Sequence, residues 1–218
     1  MCFNSQISIK TFLFGIFTLL IIYYNNLYSS HKIIEFKNPY TYFFMMSFII
    51  MQLFEYLLWE NINNLFINHL VSILGLLLLT IQPIASLTML NNTQIKLRNK
   101  LIFIYSIPAF LYVLYQILTN HINTSISKIG HLKWNWTFDK NKFVNFFVYI
   151  FYLYFLYFSL FSNKYYNEII ITLPLFLIMY YFYYKDGSAG SLWCFSINII
   201  MVYYLIKLII VNLGIETI

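Results

Sequence analysis

Glu55 has the strongest claim to chemistry in this chain, because a carboxylate inside an apolar run is costly unless it is used or paired. Gln52, Glu55, Tyr56 and Trp59 recur at i, i+3, i+4 and i+7, so a helix places them on one face. Ser191, Cys194 and Asn198 form a second polar stripe in the last apolar segment. The two stripes lie at similar depth and together suggest an outward-facing polar pocket, with Gln52 and Glu55 on one wall and Cys194 and Asn198 on the other. Gly130-His131-Leu132-Lys133-Trp134, from a long loop, would be its lid, and Trp193 sits beside Cys194. Such a pocket suits a channel, transporter or small-ligand receptor, with a small ion, a small molecule or a lipid as its partner. The plainer reading is that these groups hold helices together through hydrogen bonds worth about 1 kcal/mol each. Tyr105, Tyr112, Tyr115 and Gln116 give a weaker stripe of the kind used more often for packing than for passage.

Three other chemistries can be weighed on the same residues. Glu55 and His131 could serve an intramembrane lipid-modifying enzyme as acid and base or as metal ligands, but no nucleophile spacing accompanies them. Catalysis is therefore the less favoured reading. A metal site built from Cys2, Cys194, His131 and Glu55 has suitable ligand types yet lacks any tight His or Cys spacing, so no metal is assigned. Lys207, in the last span, invites a retinal Schiff base by fold analogy alone. Tyr203 rather than a carboxylate stands four residues before it, and a lysine near a span end can snorkel to the headgroups. No cofactor can be read from these residues. Cys2 and Cys194 are too few for a disulfide framework, although one bond between them is conceivable outside the cytosol.

The elements that must position these groups follow from composition. Of 218 residues, 61% are hydrophobic and 9% charged, far to the lipid side of a soluble domain. An apolar helix needs about 20 residues to cross the hydrocarbon, which allows about seven crossings. Only helices satisfy their backbone in lipid without a closed barrel. The spacing predicts an all-α, polytopic transmembrane bundle with spans near 11–28, 40–59, 65–90, 101–118, 143–161, 169–184 and 192–211. One transmembrane domain then fills the chain, with the lipid bilayer as its first partner. The net charge of +6 is scattered over loops with no dense basic run, which argues against nucleic acid. The first span lacks the small residues of a cleavage site and reads as retained. Pro108 and Pro174 fall inside spans four and six, where they are expected to kink the helix.

The tight Lys96, Arg98, Lys100 cluster favours an N-terminus outside and a C-terminus inside. Asn123-Thr124-Ser125 and Asn135-Trp136-Thr137 fit that orientation as sequons on an external loop, while Asn91-Asn92-Thr93 lies on the other side. A secretory-pathway or envelope membrane suits such a chain.

Four stretches carry a family resemblance: Met1-Cys2-Phe3-Asn4, the Gln52 to Tyr56 region, Gly130-His131-Leu132-x-Trp134, and Gly190-Ser191-Leu192-Trp193-Cys194. They resemble a family of small seven-pass membrane proteins that begin Met-Cys-aromatic-Asn/Ser and open the last helix with a Trp-Cys pair. Phe3 stands where tryptophan is more usual. The resemblance implies a seven-span fold and marks Cys2, Glu55, His131, Trp193 and Cys194 for testing; it implies no particular activity.

Overall fold

The computed structural model describes residues 4–135 and 142–214. Among these, seven helical stretches are long and apolar enough to cross a membrane, and they form an all-α bundle. Asparagines start the first three. Asn4 accepts a hydrogen bond from the Ile7 amide to open α1 (Ser5–Tyr28), Asn38 does so for Tyr40 ahead of α2 (Pro39–Glu60), and Asn64 for Ile67 at α3 (Leu65–Thr88). A side-chain oxygen at this position satisfies an amide that the helix itself leaves unpaired. α1 therefore begins six residues ahead of the predicted span, at its cap. α4 (Ile95–Thr119) likewise starts earlier than its apolar run, so Lys96, Arg98 and Lys100 ride on its first turns.

α5 (Lys142–Ser162) and α6 (Tyr166–Tyr183) match their predicted spans closely. The seventh crossing is broken into α7 (Ala189–Ser196) and α8 (Ile199–Asn212). At the break, amides reach back three residues instead of four, and the Asn198 side chain donates to the Cys194 carbonyl at 2.8 Å. Proline also interrupts the backbone hydrogen-bond ladder inside α3, α4 and α6, at Pro83, Pro108 and Pro174.

α2 packs between α1 and α3, and α3 in turn carries both α4 and α5. The α1–α2 crossing is close because position 15 is glycine: a Cβ there would stand 2.7 Å from Cγ1 of Ile49. Small residues are what lets helices approach in lipid, where no hydrophobic drive presses them together. Hydrogen bonds supply part of the rest. Ser86 of α3 meets both Ser159 and the Leu156 carbonyl of α5 at 2.5 Å, and Gln82 links the Tyr152 hydroxyl of α5 to the Ser47 carbonyl of α2.

The long loop after α4 holds an antiparallel hairpin, β1 (Thr124–Ile126) and β2 (Leu132–Trp134). Asn68 of α3 pairs with Thr124 as a third strand would, donating to its carbonyl at 2.9 Å and accepting from its amide at 2.8 Å. The hairpin is thereby fixed to the bundle end where α1 begins, called the hairpin side below.

Candidate functional site

Beneath the hairpin, a cavity of about 530 Å³ opens between α3, α4, α5, α6 and α7. Among the described residues its walls carry no charged side chain and are mostly aromatic: Tyr105 and Tyr112 from α4, Tyr152 from α5, Phe176 and Tyr180 from α6, and Trp193 from α7. Trp193 is only 3% exposed and meets Phe48, Tyr152 and Phe176 edge to face, with centroids 6.0, 6.1 and 5.3 Å away. Edge-to-face contacts satisfy the ring quadrupoles, so the rings form a stiff wall. Trp134 closes the hairpin-side end. Its ring rests on Gly190, where a Cβ would come within 3.0 Å, so glycine is what lets the indole seat. Thr80 is the main aliphatic hydroxyl in the lining, and it donates to its own helix at Leu76.

Gln52 and Glu55 lie one helix behind this wall. Both are fully buried, and the Gln52 amide donates to Glu55 Oε2 at 3.1 Å. The fully buried Cys194, whose thiol is free, is close enough to Glu55 to feel its charge. Cys2 lies outside the described residues. On α7, Trp193 lines the cavity, while its buried neighbour Cys194 does not. Asn198 is buried at the α7–α8 break, held by its own helix. His131 sits half-buried in the hairpin loop, its ring 6.0 Å from that of Tyr183. The cavity lining includes Trp193 but not Gln52, Glu55, His131, Cys194 or Asn198. Among the described residues, no group of three or more His, Cys, Asp or Glu side chains could hold a metal ion.

A second polar cluster, absent from the sequence reading, lies at the opposite end of the bundle. Lys207 of α8 pairs with Glu35 at 2.5 Å, and its ammonium stands 6.0 Å from the Tyr203 ring centroid. Glu35 belongs to a 3-10 turn, Ile34–Lys37, in the α1–α2 connection, and is only 8% exposed. Nearby, Glu168 in the first turn of α6 accepts from the Tyr204 hydroxyl at 2.6 Å. Tyr165, just ahead of α6, completes the group. Burial, with the charges of Glu35 and Glu168, pushes its phenol up to about 12 against the pull of Lys207, so it stays a neutral hydroxyl at ordinary pH. The available signal was Lys207 itself, since a lysine this deep needs a counter-charge. Glu35 escaped notice because it sits in a connection, and Glu168 because it lies one residue before the predicted sixth span.

The aromatic cavity was only half legible too. Spacing marks Tyr105 and Tyr112 as a packing stripe; Tyr105 does pack, against Phe151 and Phe155, and both tyrosines also line the cavity. No family model matches the chain, and no curated protein or solved structure matches it.

Proposed function

We propose that this multi-pass membrane protein is a receptor or carrier for a small lipid-soluble molecule, bound in the aromatic cavity beneath the hairpin. The carrying observation is the cavity: about 530 Å³, within the roughly 300–1,000 Å³ span of ligand sites, and walled by rings without a charge. Water is a poor filler, since each molecule needs two to four polar partners. The positive-inside argument turns the hairpin side outward, and the family resemblance adds weight at Trp193, where it coincides with the cavity wall.

The test is to purify the protein from its membrane in a mild detergent and identify co-purifying small molecules by mass spectrometry. Ala109 lines the cavity and is 8% exposed, so Ala109→Phe should fill the space and release the molecule, with Thr80→Phe as an independent second plug. Wild type and both folded variants retaining the same molecules in the same amounts would refute the reading.

One observation favours a second reading, an ion or solute pathway centred on Glu55: a fully buried carboxylate that accepts from the equally buried Gln52. Intramembrane carboxylates commonly mark such paths. Unchanged flux through reconstituted Glu55→Gln would remove it.

A further inference from the structure

Resting on the cavity reading, we infer that the ligand is the hydrocarbon chain of a bilayer lipid, admitted sideways between α4 and α5 from the leaflet on the hairpin side. Among the described residues, the hairpin covers the cavity on the side toward water. Trp134 is buried to 1% exposure against Gly190, and the strand that carries it pairs with β1, which Asn68 and Ser72 bind to α3 through Thr124, while His69 meets the Ile122 carbonyl just ahead of β1. The cavity is open elsewhere. Phe147, Ile150 and Tyr154 line it and are 65%, 48% and 54% exposed, so the same α5 side chains belong to both the cavity and the lipid-facing surface. Pro108 does the same on α4. Both helices pack on α3; they meet each other where Tyr105 stacks on Phe151 and meets Phe155 at a tilt, with centroids 5.6 and 5.2 Å away, and the mouth lies toward the hairpin side, by Phe147 and Pro108.

The shape favours a chain over a compact ring system. Lining residues extend along α5 from Phe147 to Tyr154, about 10 Å at 1.5 Å per residue. A molecule already dissolved in lipid gains nothing from leaving water, so binding must come from close dispersion contact with the rings. A flexible chain can follow such walls. One lining group is left to be satisfied: the indole N–H of Trp193 has no acceptor among the described residues. A lipid ester oxygen is an acceptor of suitable kind.

The experiment uses the two cavity tryptophans as reporters. Trp59→Phe and Trp136→Phe together leave Trp134 and Trp193, at 1% and 3% exposure, as the emitters in full-length protein reconstituted into vesicles. Phospholipid brominated along its chains is then titrated against its unbrominated parent. Quenching should saturate at low mole fraction, and Ala109→Phe or Thr80→Phe should remove the saturable phase. Quenching that only rises in proportion to bulk bromine would overturn the inference. Saturable quenching by a compact brominated aromatic, with none by brominated lipid, would overturn it while leaving the cavity reading intact. Absence of saturable quenching by either would defeat both.

Discussion

Replacing Lys207 by methionine probes the cluster whose energetics the structure constrains best. Lys207 and Glu35 are paired at 2.5 Å with side-chain exposures of 14% and 11%, so the pair is largely withdrawn from water. Removing one partner from a buried pair costs about 3–5 kcal/mol, because the remaining charge is left desolvated. Residual exposure places this case toward the lower end, about 3 kcal/mol, and at 2–4 °C per kcal/mol for a chain of this size the midpoint should fall by roughly 6–12 °C. Glu35→Gln with Lys207→Met removes both charges and should recover most of that loss. Thermal unfolding of the purified protein in one fixed detergent, run as a double-mutant cycle, reads the coupling directly. A shift under about 1 °C for Lys207→Met, or a double variant as unstable as the two singles summed, would refute the reasoning. The same cycle bears on the retinal reading, since a lysine held by Glu35 must break that pair to form a Schiff base; added retinal is expected to give no visible absorption band.

Other consequences test the scaffold around the cavity. Gly190→Leu should unseat the Trp134 indole, cost about 1–3 kcal/mol as an overpacked site and red-shift tryptophan emission; an unchanged spectrum and midpoint would contradict the wedge. Gly15→Ala brings a Cβ to 2.7 Å from Ile49 and should destabilise by a similar amount, with Ile49→Ala restoring the midpoint in the same thermal assay. Asn68→Leu removes both hydrogen bonds to Thr124, so amide exchange across Thr124–Trp134 should accelerate at least tenfold, a loss of about 1.4 kcal/mol in local protection, while α2 and α3 stay protected. Exchange unchanged in the hairpin would show that Trp134 alone anchors it.

Span number and span position were legible because the bilayer imposes one period and one length on every crossing. Helix starts were less so: Asn4 extends α1 beyond its apolar run, and α4 carries Lys96, Arg98 and Lys100 within its first turns, where charge reads as loop. The hairpin was not foreseen, since its strands are three residues each and depend on Asn68, more than fifty positions away, for their docking. The spacing of Gln52 and Glu55 does put both on one buried face. What spacing cannot give is which neighbour each face meets. The Tyr105 and Tyr112 stripe became a cavity wall only through the way α4 and α5 share α3, and the Glu35–Lys207 pair joins residues 172 positions apart.

The most direct test of a cavity that accepts lipid is an experimental map of the protein in a nanodisc, with a bound antibody fragment to aid alignment. Elongated density running from the Trp193 ring toward Tyr105, continuous with the bilayer between α4 and α5, is the predicted result. A file of ordered waters in that space, or the rings of Tyr112, Tyr152 and Phe176 collapsed upon one another, would contradict it.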